Sequence, residues 1–262
     1  MKDNLVLGQY MNADSLVHRL DPRTKLLSVL AFTICCLMLK TVGGYAAMTI
    51  LAGVQLRLSR VPVQRFFGGI KPILFILAFT FVYHLFFTEG TPIWPGSILK
   101  VTQEGIENGI FVVWRILLLV SFASVLTFTT KPLDLAKGLE NLCKPISRCG
   151  VPVEAFALMI VIAIRFIPTI MEELDRMVLA QKARGYDLMA VKGHKRVRAY
   201  MVLVVPLLIT TIQRAEQLAM TIDARAYGNG KGRTSYRALA FSRTDCAAGG
   251  FMLAFIVLIL FI

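Results

Sequence analysis

Two arginines, Arg184 and Arg225, stand in nearly the same tetrapeptide in two separate parts of the chain. The first copy reads Ala-Arg-Gly-Tyr from 183 and the second reads Ala-Arg-Ala-Tyr from 224. A guanidinium can donate two parallel hydrogen bonds to one carboxylate, and small flanking residues let a helix end enter a narrow groove. The pattern therefore predicts a docking site for a protein partner. Its residues are Ala183, Arg184, Gly185, Ala224, Arg225 and Ala226.

Ordinary helix termination is the simpler interpretation of each motif. Glycine just after a helix and arginine in its last turn are common, and a single copy would be explained in that way. Each copy here closes a long amphipathic segment, and Met177 and Asp175 before the first copy match Leu218 and Glu216 before the second. The sequence leaves docking and termination as two open interpretations.

Other reactive groups form no recognisable catalytic arrangement. The three histidines are scattered, the five cysteines form no Cys-X-X-Cys pair, and residues 228–232 only imitate a phosphate-binding loop. That loop requires an earlier glycine where Arg225 stands, and Ser or Thr where Gly232 stands. We predict no catalytic residue, no cofactor and no metal site, so the chain is not expected to be an enzyme.

The composition indicates the kind of protein that must position these arginines. Of 262 residues, 56% are hydrophobic and 17% are charged, whereas soluble domains carry about 25% charged residues. The apolar residues are also grouped in long runs, which excludes soluble globular, disordered and fibrous proteins. We therefore predict an all-α polytopic membrane protein, with transmembrane helices and long helices on the cytoplasmic side.

The apolar runs divide the chain into three predicted domains. Residues 1–130 hold four runs, predicted to span the membrane, at 26–39, 42–58, 70–88 and 109–129. Residues 131–240 contain the two arginine motifs, and residues 241–262 form a last transmembrane helix. Basic residues before the first run and after the second place the N-terminus in the cytoplasm.

The net charge of +13 is concentrated in the middle of the chain. More than half of the 29 Lys and Arg lie between 131 and 245. Two apolar stretches in this region, 151–167 and 200–212, have basic flanks at each end and continue as amphipathic segments. Whether they span the membrane stays open, and so does the role of the apolar faces at 159–164 and 201–208, as bundle core or as a partner surface.

The positions of single charged residues near the apolar runs predict individual structural roles. Asp21 followed by Pro22 predicts the start of the first long helix. Arg115, just inside the fourth run, is expected to extend towards the outer interface rather than to line an ion pathway. Arg165 and Glu154 could pair inside the bundle or face a partner, and of the two we expect the buried pair.

The N-terminal sequence and the paired motifs together resemble one known family. The stretch from Gly8 to Ser15, followed by His-Arg-Leu-Asp-Pro-Arg-Thr-Lys at 18–25, is similar to the opening of the transmembrane T component of energy-coupling factor transporters. These are importers of the ABC class. The Ala-Arg-Gly and Ala-Arg-Ala motifs resemble that family's two coupling motifs, and the likeness covers essentially the whole chain.

The resemblance implies a non-catalytic coupling subunit in a bacterial cell membrane. Its partners would be two ABC ATPases, an interchangeable membrane-embedded substrate-binding S component, and the lipid bilayer, with no nucleic acid. ATP and magnesium would be bound by the ATPases, whose acidic groups would hold Arg184 and Arg225. The complex would import vitamins or other micronutrients.

Two other classes of membrane protein, a secondary transporter and an enzyme, fit the sequence less well. A self-sufficient secondary transporter would carry ionisable residues near the midplane of several spans, and the first four runs have almost none. A membrane-embedded enzyme would need paired histidines or carboxylates at a helix end, which the sequence lacks.

Overall fold

The computed structural model describes residues 10–11, 13–91, 102–185, 194–226 and 239–261. Within these residues the backbone forms helices and no β-strand, in agreement with the predicted all-α class. The helices are α1 (Leu16–Arg19), α2 (Pro22–Met38), α3 (Val42–Ser59), α4 (Val63–Phe87), α5 (Gln103–Thr129), α6 (Pro132–Cys143), α7 (Val153–Ala183), α8 (His194–Ala224) and α9 (Arg243–Phe261). A 3-10 helix, Lys144–Cys149, lies between α6 and α7.

Three of the described helices are long and apolar enough to cross a membrane: α5, α7 and the part of α8 from Tyr200 to Ala224. The two stretches that the sequence left open, 151–167 and 200–212, overlap α7 and α8. The chain is therefore a polytopic membrane protein. Helices α2 and α3 have 17 and 18 residues, and the four spans predicted for residues 1–130 stay a prediction.

The described residues form two compact units. The first lies within residues 1–142 and 239–262, and the second lies within 143–238. The chain thus leaves the first unit at the end of α6 and returns to it before α9. The predicted three-domain division at 130 and 240 stays a prediction.

Helix starts in the first unit follow local capping rules. The Asp21 carboxylate accepts a hydrogen bond from the backbone N–H of Arg23 at 2.8 Å, and Pro22 is the first residue of α2. This confirms the helix start predicted there. Thr102 caps α5 in the same manner, since its hydroxyl accepts from the N–H of Gly105 at 3.1 Å. These side chains satisfy backbone donors that have no partner within the helix.

Helix α5 is the centre of the first unit and packs against α2, α3 and α4. Phe122 of α5 is fully buried and its ring centroid lies 5.1 Å from that of Phe32 in α2. Phe255 of α9 meets the same Phe32 ring edge-on at 6.2 Å. Because lipid tails are as apolar as these side chains, close packing rather than escape from water holds such helices together.

A buried polar junction joins the start of α2 to the start of α9. Asp245 is 3% exposed and accepts hydrogen bonds from the backbone N–H groups of Asp21 at 2.7 Å and Ser242 at 2.8 Å. The Lys25 ammonium, also buried, donates to the carbonyl of Thr129 at 3.1 Å and the hydroxyl of Thr130 at 3.2 Å, so it caps the end of α5. Asp245 and Lys25 therefore each satisfy buried polar groups at helix ends.

The second unit is built on two helices of equal length. Helices α7 and α8 each have 31 residues, which corresponds to about 46 Å. Each contains one proline, Pro168 or Pro206, and continues beyond it. Leu203 of α8 is buried against Leu174, Met177 and Val178 of α7, and this apolar cluster is called here the Leu203 contact.

Candidate functional site

The arginine motifs form the C-terminal ends of α7 and α8, and the sequence repeat is also a structural repeat. Helix α7 ends at Ala183 and α8 ends at Ala224, and the offset between these two ends equals the offset between the two helix starts. Arg184 N donates to Ala180 O at 3.2 Å, and Arg225 N donates to Thr221 O at 3.3 Å, which are equivalent bonds. The two motifs therefore begin from the same backbone geometry.

The residue after each arginine turns the chain in the left-handed direction. Gly185 has φ +83°, and Ala226, at the equivalent position, has φ +50°. Each donates its N–H three residues back, Gly185 to Lys182 O at 3.0 Å and Ala226 to Asp223 O at 2.8 Å. Glycine adopts this conformation without cost, whereas alanine in it is strained by about 1 kcal/mol.

The strained alanine bears on the two interpretations of the motif. Termination of α7 by Gly185 is a common helix end. Ala226 adopts the same left-handed turn although it is not glycine. Strained backbone of this kind is found preferentially at functional sites. Both motifs thus have the geometry of a helix cap. In the second motif Ala226 adds backbone strain, which helix termination alone does not require.

Both arginine side chains are exposed, as are the small residues on either side of them. In the part of the chain that the structure describes, neither Arg184 nor Arg225 has an ion-pair partner. Each helix end thus presents a cation between side chains no larger than a methyl group. The structure does not bring the two motifs into one pocket; each is the end of its own helix. Tyr186 and Tyr227, which complete the repeated tetrapeptide, and the loop at 228–232 lie outside the described residues.

An ion pair between α7 and α8 is a feature that motif analysis missed. Arg214 Nη2 lies 2.7 Å from Glu173 Oε2, and the side chains are 41% and 19% exposed respectively. Both residues stand in charged amphipathic segments where many pairings are possible, so only the packing of the helices identifies this one. A signal was nevertheless available, because Glu173 and Arg214 occupy equivalent positions of the same repeat that relates the two motifs.

The apolar faces that the sequence left unassigned are mostly exposed. Met159 and Ile160 of α7 are exposed, and so are Met201, Val204 and Leu208 of α8. In the second stretch Leu203 is buried and Leu207 is half-buried. Most of these side chains are therefore not core of this chain and are free to contact lipid or another membrane protein.

Arg115 is anchored inside the first unit. Its guanidinium donates to the hydroxyl of Tyr45 at 2.7 Å and to the carbonyl of Leu39 at 3.0 Å, and lies over the Tyr45 ring. Leu39 follows the last residue of α2, so Arg115 supplies a donor to a carbonyl at that helix end. Arg115 therefore joins α5 to the α2–α3 turn, and its extension towards the outer interface stays a prediction.

The expected pair of Arg165 with Glu154 is wrong. Both side chains are exposed on α7. Arg165 follows Glu154 by eleven positions, or about 16 Å of helix, which is beyond the reach of an ion pair. Both residues lie in one continuous helix, and opposite charge alone does not bring two side chains together over that length.

Described residues offer no cluster of three or more His, Cys, Asp or Glu side chains able to hold a metal ion. His18 is instead held by hydrogen bonds from both ring nitrogens. Its Nε2 lies 3.0 Å from Met11 O and its Nδ1 lies 2.7 Å from the Ser15 hydroxyl. Burial lowers the pKa of this imidazole below 6.5, the ordinary value. These contacts attach the N-terminal segment to α1.

Known proteins similar to this chain were identified by sequence. Residues 13–236 match the family described as cobalt transport protein, CbiQ. The energy-coupling factor transporter transmembrane protein EcfT of Bacillus subtilis is 40% identical over 246 residues, which are 94% of this chain and 93% of that protein. The protein of the same name in Thermanaerovibrio acidaminovorans is 39% identical over 100% of this chain and 97% of its own length. The one in Limosilactobacillus fermentum is 36% identical over 95% of this chain and 93% of its length.

Proposed function

The chain belongs to the CbiQ family of transport proteins, and we propose that it is the transmembrane coupling subunit of an energy-coupling factor transporter. In this role it transmits motion from two ABC ATPases to a substrate-binding S component, for uptake of vitamins or other micronutrients. The relatives that support the proposal cover nearly the whole chain and share one name.

The pair of matching helix ends is the observation on which the coupling role rests. Arg184 and Arg225 are exposed, each follows an alanine and each precedes a residue with positive φ. Such an end fits a groove with an acidic group at its base, where a carboxylate accepts two hydrogen bonds from the guanidinium. Two equal ends match two ATPase subunits, one groove for each.

The mechanism follows from helix length. A 31-residue helix carries a displacement at its end along about 46 Å. When ATP closes the two ATPases, the arginine ends move with their grooves, and α7 and α8 transmit this motion to the S component. The exposed apolar faces of the two helices are where we propose that the S component and lipid bind.

Energy enters through the partner chains in this proposal. ATP and magnesium are bound by the ATPases, and this chain contributes no catalytic residue, cofactor or metal site. The chain lies in the bacterial cell membrane, with its N-terminus and both arginine ends on the cytoplasmic side, because that is where the basic segments belong.

Copurification with the ATPases tests the docking step. Arg184→Glu and Arg225→Glu place a negative charge where the groove is acidic, so each is expected to weaken assembly and the double variant to abolish it. Arg176→Glu is the matched control, since it makes the same charge change at an exposed position of α7 eight residues before Arg184. Undiminished assembly of the double variant would contradict the proposal.

Reconstitution separates the coupling subunit from the two rival classes. In proteoliposomes the chain alone is expected to transport nothing and turn over nothing, and to become active once ATPases and an S component are added. A secondary transporter would move substrate without ATPases. An enzyme would convert a substrate without any partner, and either result would contradict the proposal.

A further inference from the structure

We propose that Glu173 and Arg214 are positioning residues that form a latch, which sets the angle between α7 and α8 and opens when the arginine ends are moved. This inference rests on the proposed coupling function, because it concerns how that motion is transmitted. The Leu203 contact is the pivot, and the Glu173–Arg214 ion pair is a second, breakable attachment.

Two attachments are needed to fix an angle between two packed helices. Leu203 is 2% exposed and holds α8 against Leu174, Met177 and Val178. One contact of this kind leaves the helices free to rotate about it. Arg214 lies eleven residues further along α8, about 16 Å away, and its bond to Glu173, the residue before Leu174 on α7, opposes that rotation.

The latch stands at the same distance from both arginine ends. Glu173 is eleven residues before Arg184, and Arg214 is eleven residues before Arg225, which gives about 16 Å along each helix. Arg214 is thus midway between the pivot residue Leu203 and its own helix end. Because both helices are continuous up to their ends, a closed latch fixes the separation of Arg184 and Arg225.

The exposure of the pair suits a contact that opens and closes. At 41% and 19% exposure, the two charges are partly hydrated, and ion pairs of this kind add little net stability. The apolar pivot persists when the pair breaks. A deeply buried pair would instead be costly to separate, because each charge would be left without solvent.

Space for the open state is present beside the pair. A cleft of about 510 Å³ borders Arg214 and is lined on the α7 side by Thr169, Glu172 and Arg176 among others. When α8 rotates, the guanidinium has room to leave Glu173 and has a second carboxylate, Glu172, in the same cleft. The geometry therefore provides a closed position and a place for the side chain to go.

Charge reversal and charge exchange test the latch on the full chain in lipid nanodiscs. Spin labels are introduced as non-canonical amino acids at 182 and 223, which are exposed, equivalent positions next to the two motifs. The distance distribution between the labels is expected to broaden or shift measurably in Glu173→Arg and in Arg214→Glu. The variant with both changes restores an ion pair of opposite polarity and is expected to restore the original distribution. Asp175→Arg, the same charge reversal at an exposed neighbouring position, is the control and is expected to leave it unchanged.

Coupling in the assembled transporter provides the second measurement. Glu173→Arg and Arg214→Glu are each expected to lower the substrate imported per ATP hydrolysed by about fivefold or more, with ATPase copurification and thermal midpoint retained. The exchanged pair is expected to recover the ratio. Equal distance distributions in wild type and single variants, or failure of the exchange to restore either measurement, would overturn the latch.

Failure of the latch and failure of the proposed function give different results. The label distance is measured without ATPases or S component, so it depends only on α7 and α8. If Arg184→Glu and Arg225→Glu leave assembly intact, the coupling function is contradicted while the distance result stands. If those variants lose the ATPases but charge reversal changes neither distance nor coupling ratio, the latch alone is overturned.

Discussion

Gly185 and Ala226, at equivalent positions of the repeat, adopt the same left-handed turn at the ends of α7 and α8, although only one of them is glycine. The bonds that each makes three residues back are similar in length, at 3.0 and 2.8 Å. Two helix ends of different sequence are thus held in one conformation. In the proposed docking role, this shared conformation sets the direction in which the preceding arginine is presented.

Replacing Gly185 by alanine and Ala226 by glycine is expected to change the affinity for the ATPases in opposite directions. Among the described residues, no atom beyond Gly185 and its chain neighbours lies within 4 Å of a Cβ added there, so Gly185→Ala is expected to add backbone strain of about 1 kcal/mol. We expect ATPase affinity of the full chain, measured by titration, to fall about fivefold. Ala226→Gly relieves the same strain and is expected to raise affinity. An unchanged affinity in both variants would show that the turn does not present the arginine.

Lysine is expected to replace each arginine only in part. Arg184→Lys and Arg225→Lys keep the positive charge but lose the planar fork that donates two parallel hydrogen bonds. Assembly in the same titration should weaken by less than in the glutamate variants, and the double lysine variant should be weaker than either single one. If lysine equals arginine at both positions, the groove recognises charge alone.

Removing the Asp245 carboxylate is expected to destabilise the first unit. Asp245→Ala leaves the buried N–H of Asp21 without its acceptor, a loss of about 1–3 kcal/mol. The thermal midpoint of the detergent-solubilised chain is the measurement. Asp14→Asn is the matched control, because its ion pair with Arg19 is largely exposed and its removal should leave the midpoint unchanged. Equal midpoints for the two variants would argue against a structural role of the junction.

The bonds of Arg115 predict a second stability effect. Arg115→Leu removes the donors to Tyr45 and Leu39 and leaves the buried Tyr45 hydroxyl without this partner, which costs about 1–3 kcal/mol. Trp114→Phe is the neighbouring control, since it removes an exposed hydrogen bond to Thr49. The thermal midpoint should fall clearly more in Arg115→Leu. If the bonds of Arg115 to Tyr45 and Leu39 add no stability, the thermal midpoint of Arg115→Leu will fall no further than that of Trp114→Phe.

His18 predicts a dependence on pH near neutrality. Burial is the main cause of its lowered pKa, so the folded chain favours the neutral ring more than the unfolded chain does. The resulting stabilisation is complete above pH 6.5, the ordinary pKa, and is lost as the pH falls from there through the lower folded pKa. The thermal midpoint should therefore drop on acidification through this range. In His18→Gln the part of the drop due to this group should disappear, and an unaltered profile would contradict the assignment.

Much of the architecture was predictable because it follows from local rules. Asp21 and Pro22 mark a helix start by capping chemistry alone, and the ends of α7 and α8 were marked by small residues around an arginine. The partners of Arg115 and Asp245 were not predictable, since each bond joins helices far apart in the sequence. Glu154 and Arg165 show the opposite error, in which two opposite charges suggested a contact that the length of one continuous helix forbids.

The hydrogen bond between Asp21 and Asp245 also has a consequence for biosynthesis. Its two residues are separated by 224 positions, so when α2 has been translated, its partner on α9 has not yet been made. Most of the second unit must leave the ribosome first. During that interval the N–H of Asp21 and the face of α2 that receives Phe255 lack their final partners. This makes the first unit dependent on late, long-range assembly and exposes it to membrane quality control until α9 arrives.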